Sequence, residues 1–90
     1  MKVLVLYRPE SEHRRRIEEF VSNFNASNSF SGKLDAINVD TREGISSASL
    51  YDVMRYPAVL VVRDDGTMQK LWQGVDEIPL VNEVQAYMGG

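Results

Sequence analysis

The sequence has no cysteine and only one histidine among its 90 residues. Without cysteine the chain cannot form disulfides, thiolate zinc sites or thiol redox centres. One histidine with scattered carboxylates is also a poor set of metal ligands, because zinc sites in proteins combine several His, Cys or carboxylate groups. We therefore expect neither a metal site nor thiol chemistry in this protein.

Long hydrophobic runs and an excess of positive charge are also missing. The longest apolar runs, residues 3–7 and 58–62, are far shorter than the roughly 18 residues that a transmembrane helix requires. The net charge of −3 argues against binding to nucleic acid or to an anionic membrane through bulk charge. The composition, with 43% hydrophobic and 26% charged residues, is typical of a folded domain. We expect one cytoplasmic domain that spans residues 1–90.

The first half of the chain has the pattern of a strand–helix–strand unit. Residues 2–7 form a nearly continuous apolar run, which is typical of a buried strand. A helix is expected from Ser11, whose hydroxyl can cap it. Its apolar face is Ile17, Phe20, Val21 and Phe24. Residues 23–32 are rich in Asn, Ser and Gly and predict a loop that Phe30 holds down. Residues 33–40 predict a second strand, parallel to the first after a helical crossover.

The second half predicts a helix, a hairpin and a last helix. Residues 43–54 have a helical pattern that ends before Tyr56-Pro57, with its apolar positions at Ile45, Ala48, Leu50, Val53 and Met54. Residues 58–63 and 68–72 flank an Asp-Gly turn and predict antiparallel strands. The last helix, with Asp76 and Pro79 at its start, has its apolar face at Leu80, Val81, Val84, Tyr87 and Met88. The predicted fold is α/β, in the order β-α-β-α-β-β-α, with a four-stranded mixed sheet flanked by helices.

This order resembles the thioredoxin-like fold, and three local segments carry the same resemblance. "YDVMRYPAVLVV", residues 51–62, is similar to the thioredoxin-family segment in which a helix leads to a cis-proline and a buried strand. "LYRPESEHRRR", residues 6–16, resembles the opening of glutaredoxins, with Ser11 and Arg14 at the positions of the two Cys-x-x-Cys cysteines. "QGVDE", residues 73–77, is similar to the glutaredoxin stretch that holds the γ-glutamyl end of glutathione.

The resemblance implies a scaffold from which the reactive atoms are missing. Thiol–disulfide exchange requires a thiolate, and a serine hydroxyl is neither ionised near neutral pH nor able to form a disulfide. We expect no thiol–disulfide oxidoreductase activity and no catalytic residue. The positions equivalent to the redox site instead form an expected groove for a ligand or partner: Ser11, Glu12, His13, Arg14, Tyr56, Pro57, Val75 and Asp76.

Two of these positions allow other interpretations. Ser11 with His13 as its base suggests a hydrolase, but side chains two residues apart on a helix do not face each other. Helix capping by Ser11 and surface exposure of His13 are therefore favoured. The run Arg14–Arg16 suggests a phosphate or RNA site, but flanking glutamates favour a solvated, salt-bridged face. Arg14 is the exception, because its head could extend over the groove at Pro57 and hold a carboxylate.

Three functions follow from the resemblance. The first is a redox-inactive binding or adaptor module that recognises a protein segment at the groove beside Pro57. The second is a glutathione-binding protein or glutathione-dependent enzyme that uses Ser11, with carboxylate donors drawn from Arg8, Arg14, Arg55 and the backbone near Val75 and Asp76. The third is an adaptor of the KaiB type, which the predicted hairpin at 58–72 and the last helix fit less well.

Overall fold

The structure is a computed structural model that describes residues 1–27 and 33–88, except the side chain of Lys33. Its elements are β1 (Lys2–Tyr7), α1 (Arg14–Ala26), β2 (Lys33–Asn38), α2 (Arg42–Leu50), β3 (Ala58–Val62), β4 (Met68–Gln73), a short 3₁₀ helix (Val75–Glu77) and α3 (Val81–Met88). The predicted α/β order is confirmed, with the 3₁₀ helix added. Within the described ranges, no helix has the length and apolar character needed to cross a membrane.

The four strands form one mixed sheet in the order β2-β1-β3-β4. β1 runs parallel to β2, so that Val5 lies beside Ala36, and antiparallel to β3, so that Val5 also lies beside Val59. β3 and β4 are antiparallel, as the Asp-Gly turn predicts. The two central strands are β1 and β3, which explains why their sequences are continuous apolar runs.

Each face of the sheet has its own hydrophobic core, because successive side chains of a strand point to opposite faces. Val3 and Val5 of β1 pack on the face that α1 and α3 cover, together with Ile17 and Val84. The other face is covered by α2 and the residues that follow it, with its buried side chains at Leu4, Leu6, Val39, Ala48, Val53, Ala58, Leu60 and Val62. The sheet is therefore buried on both sides.

The boundaries of α1 differ from the prediction. The helix begins at Arg14, its N-cap position is His13, and His13 makes no capping hydrogen bond through its side chain. The prediction that Ser11 caps the helix is wrong, because its hydroxyl donates to the carbonyl oxygen of Arg8 at 2.6 Å and thereby closes a turn before the helix. α1 also continues to Ala26, beyond the predicted start of the loop. Phe30 lies outside the described residues.

The apolar pattern of α2 overestimates its buried face. The helix ends at Leu50, and of the five predicted apolar positions only Ala48 and Val53 are buried. Ile45, Leu50 and Met54 are largely exposed, because a nine-residue helix against one side of a sheet buries only a narrow stripe. Leu80 is exposed for a related reason, since α3 begins after it, at Val81.

Candidate functional site

The loop before α1, the segment before β3 and the 3₁₀ helix meet at one end of the sheet, and arginine side chains join them. The guanidinium carbon of Arg8 lies 5.7 Å from the ring centroid of Tyr56, which connects the loop to the segment before β3. Arg16 Nη1 of α1 donates to the carbonyl oxygen of Val75 at 3.3 Å. We call the surface formed by residues 8–14, 54–57 and 74–76 the candidate site.

The segment before β3 is fixed at its proline and by the end of β4. The Tyr56–Pro57 peptide bond is cis, as the resemblance implies, and Pro57 is fully buried. The side-chain oxygen of Gln73 accepts hydrogen bonds from the backbone N–H groups of Met54, at 2.9 Å, and Arg55, at 3.2 Å. The carbonyl oxygen of Pro57 also accepts from the N–H of Gly74. The backbone on either side of Tyr56 is therefore held in place.

Tyr56 itself keeps its backbone polar groups unpaired. Among residues 1–27 and 33–88, neither its N–H nor its C=O has a hydrogen-bond partner. Two other residues of the candidate site have exposed apolar side chains, since Met54 is 75% exposed and Val75 44% exposed. A ligand that binds at Tyr56 would therefore break no existing backbone hydrogen bond of that residue.

An ion pair ties this segment to the 3₁₀ helix. Arg55 Nη2 lies 3.1 Å from Asp76 Oδ1, and both side chains are mostly exposed. Gly74 lies directly beneath the pair with a φ of 103°, a backbone conformation that favours glycine. A Cβ at this position would lie 2.6 Å from the guanidinium group of Arg55 and 3.0 Å from the Asp76 carboxylate. Glycine at position 74 therefore allows both the turn and the ion pair.

Solved structures of two other proteins share this architecture over nearly the whole chain. One is a malarial protein, with a TM-score of 0.75 and 15% sequence identity over 98% of this chain and 92% of that protein. The other is thioredoxin 1 from the thermophilic eubacterium Thermosipho africanus TCF52B, with a TM-score of 0.70 and 15% identity over 99% of this chain and 91% of that protein. The fold is thioredoxin-like. No protein-family model and no curated protein sequence matches the chain.

In this thioredoxin-like fold the loop before α1 carries Ser11 and His13, and both are engaged with Arg8. The Ser11 hydroxyl donates to the Arg8 carbonyl oxygen at 2.6 Å, and His13 Nε2 accepts from the Arg8 N–H at 3.2 Å. Burial, and then the charge of Arg8, lower the pKa of His13 below its usual value. Because the two side chains bond to Arg8 and not to each other, they do not form the nucleophile–base pair that hydrolysis requires.

Arg14 forms an ion pair within its own helix, α1. Its Nε lies 2.6 Å from Glu18 Oε1, one turn further on, and both side chains are mostly exposed. Its nearest partner is therefore an i,i+4 carboxylate of its own helix, and the expectation that Arg14 holds an anion over Pro57 stays a prediction. Glu12, another predicted groove position in the loop before α1, is exposed.

The donors that a glutathione site would need are likewise engaged. Arg8 lies 3.6 Å from Asp40, Arg55 pairs with Asp76, and Arg14 pairs with Glu18 as described. All of these groups are exposed, so solvent screens the pairs and each one is weak. A glutathione carboxylate would have to displace a protein carboxylate from any of these arginines. Glutathione binding stays a prediction.

The sequence interpretation missed two residues that shape the site. The apolar pattern places Met54 on the buried face of α2, whereas it lies beyond the end of the helix and is exposed. Gln73, which the pattern does not single out, ends β4 and lies opposite Ala58 in the hairpin. That register is shifted by an irregularity between Val61 and Val62, which the predicted antiparallel pair does not specify. Neither the position of Gln73 nor its hydrogen bonds to Met54 and Arg55 therefore follow from the sequence pattern.

Proposed function

We propose that this protein is a redox-inactive, thioredoxin-like binding module that holds an extended protein segment at the candidate site. The observation that carries the proposal is the unpaired backbone of Tyr56. A buried N–H or C=O without a partner is costly, so a ligand that covers this surface gains most if it supplies both hydrogen bonds. An extended polypeptide does so with its own backbone.

The surroundings of Tyr56 support a segment with apolar side chains. Met54 and Val75, which belong to the candidate site, present exposed apolar side chains. The nearby charges of Arg8, Arg55 and Asp76 already have opposite charges beside them. A charged ligand would therefore compete with existing ion pairs, whereas an apolar segment only removes exposed apolar surface from water.

The composition supports recognition over redox catalysis. The chain has no cysteine, and at the position equivalent to a nucleophilic cysteine the Ser11 hydroxyl is occupied as a donor to Arg8. A segment bound at Tyr56 would therefore meet no group able to attack a disulfide. Binding followed by release is the activity that remains.

The proposal is tested by NMR titration of the ¹⁵N-labelled protein with a pool of uncharged nonapeptides rich in Val, Leu and Thr. We expect shifts at Met54, Arg55, Tyr56 and Val75, with slower exchange of the Tyr56 amide proton because it becomes hydrogen-bonded. Substitution M54E places a charge at an exposed apolar position of the candidate site and should weaken peptide binding at least tenfold.

M68E is the matched control. Met68 is also an exposed methionine, but its neighbours across the sheet are Val62 and then Lys2, so it lies at the end of the sheet opposite the candidate site. Binding by M68E should stay within twofold of the unmodified protein. Equal binding by M54E and the unmodified protein, or no shift in the candidate site at millimolar peptide, would overturn the proposal.

The same labelled protein tests the glutathione alternative. Reduced glutathione at millimolar concentration should leave the amides of Ser11, Arg14, Tyr56, Val75 and Asp76 unshifted if the site serves a peptide. Shifts confined to those five amides, without a response to the peptide pool, would replace the peptide proposal with a glutathione site.

A further inference from the structure

The loop before α1 makes hydrogen bonds to both backbone polar groups of Arg8. On one side the Arg8 carbonyl oxygen accepts from the N–H of Ser11 at 3.2 Å and from its hydroxyl at 2.6 Å. On the other side the Arg8 N–H donates to His13 Nε2 at 3.2 Å. Since the donor is a backbone N–H, His13 can take part only while Nε2 has no proton.

We propose that protonation of His13 opens this loop and releases Arg8 from Tyr56, so that the candidate site changes shape in mildly acidic solution. The imidazolium ion has a donor at both nitrogens and cannot accept from the Arg8 N–H. Two donors would then face each other, and the positive ring would lie beside the cationic residue Arg8. The loop must separate His13 from Arg8 to relieve both conflicts.

The position of the Arg8 side chain depends on that backbone. Its guanidinium group lies over the Tyr56 ring at 5.7 Å and 3.6 Å from the Asp40 carboxylate. Both contacts involve exposed groups and are weak by themselves. The hydrogen bonds of the loop to the Arg8 backbone therefore contribute to keeping the guanidinium over Tyr56. As a regulation of the candidate site this inference rests on the proposed function, whereas the loop movement does not.

The other charged groups on the loop or packed against it are three ion pairs and two exposed glutamates. The pairs are Arg14 with Glu18, Asp40 with Arg8, and Arg55 with Asp76, and the exposed glutamates are Glu10 and Glu12. Burial and the charge of Arg8 both lower the pKa of His13, so the neutral, accepting form is favoured in the folded protein. The loop is therefore closed at neutral pH and opens only below the usual histidine pKa of about 6.5.

The test is an NMR pH titration from 8 to 5 that follows the His13 ring and the Arg8 amide together. Carboxylates ionise at about pH 4, so the window isolates the histidine. We expect the His13 midpoint to lie below 6.5 and the Arg8 amide proton to move upfield, as it loses its hydrogen bond, with the same midpoint. The amide of Tyr56 should follow the same curve.

H13Q is the matched variant, because the glutamine side-chain oxygen can take the place of Nε2 as an acceptor without titrating. In this variant the Arg8 amide should stay at its neutral-pH position across the whole range. The inference would be contradicted if the Arg8 amide shift stayed constant while His13 titrates, or if it changed equally in H13Q. The measurement uses no ligand, so a failure of peptide binding and a failure of the switch are separate results.

Discussion

Gly44, in the first turn of α2, should not tolerate a methyl group. In most helices a glycine-to-alanine change stabilises the protein, since alanine is favoured by about 1 kcal/mol per residue in a helix interior. Gly44 is buried against the end of β2. A Cβ there would overlap the carbonyl oxygen of Asn38 and lie 2.7 Å from the Cα of Val39. Both obstacles are backbone atoms, which cannot rotate away as a side chain can.

The backbone that would have to move is also held by α2 itself. The carbonyl oxygen of Asn38 accepts from the N–H of Thr41 at 3.2 Å and from its hydroxyl at 2.7 Å. The Thr41 hydroxyl oxygen in turn accepts from the N–H of Gly44 at 3.0 Å. Displacing Asn38 would strain these bonds and the junction with β2. The methyl group therefore has no inexpensive way to be accommodated.

Two opposing energies decide whether G44A raises or lowers the stability of the protein. Inserting a methyl group into a packed interior costs about 1–3 kcal/mol, and a clash with backbone belongs at the upper end of that range. Subtracting about 1 kcal/mol of helix propensity leaves a net destabilisation of roughly 2 kcal/mol for G44A. A chain of this length has a total stability of about 5–13 kcal/mol, so the variant should fold. Its Tm should fall by roughly 8–16 °C.

Urea unfolding followed by far-UV circular dichroism measures this change. S46A is the control, because Ser46 is exposed in the same helix and alanine there should stabilise the protein by a few tenths of a kcal/mol. The expected result is a lower midpoint for G44A with an unchanged slope. If G44A were as stable as the unmodified protein or more stable, the contact of α2 with the end of β2 described here would be refuted.

Two further predictions concern stability. T41A removes the oxygen that accepts from Gly44 and donates to Asn38, so it should cost about 1 kcal/mol in urea unfolding, whereas T41S keeps the oxygen and should recover most of that loss. L60A removes a fully buried side chain and should cost about 2–5 kcal/mol, whereas L50A, at a position 74% exposed, should stay within about 0.5 kcal/mol. A large loss in L50A would mean that the C-terminal end of α2 is packed and not exposed.

The strands could be predicted from the sequence because the most buried ones leave little choice. β1 and β3 lie in the middle of the sheet with a core on each face, so almost every side chain in them must be apolar. The edge strand β2 has a weaker pattern, and Ala36 in its middle is exposed. Helices at the surface are harder, because exposed apolar residues such as Ile45 imitate the periodicity of a buried face.

The side-chain contacts of the candidate site could not be predicted in the same way. Its positions followed from the resemblance alone, through the order of strand, helix and proline. Several of the contacts that organise it join residues distant in sequence, since Arg55 and Asp76 are 21 positions apart and Arg16 and Val75 are 59 positions apart. No local pattern encodes such pairs, because long arginine side chains can take many partners on a folded surface. The local pair Arg14–Glu18, by contrast, has the i,i+4 spacing that a sequence displays.

The loop before α1 of this thioredoxin-like chain carries no cysteine, and its polar side chains make different contacts. A reactive thiolate must be left accessible, so the groups around it serve to lower its pKa and not to occupy it. Here the Ser11 hydroxyl and His13 Nε2 both make hydrogen bonds to the backbone of Arg8. The guanidinium group of Arg8 lies over the ring of Tyr56. The polar side chains of the loop therefore fix the backbone of a residue whose cation lies over the ring of Tyr56. Of these two side chains only His13 titrates near neutral pH, and the pH titration of the Arg8 amide described above measures whether that titration is felt at this position.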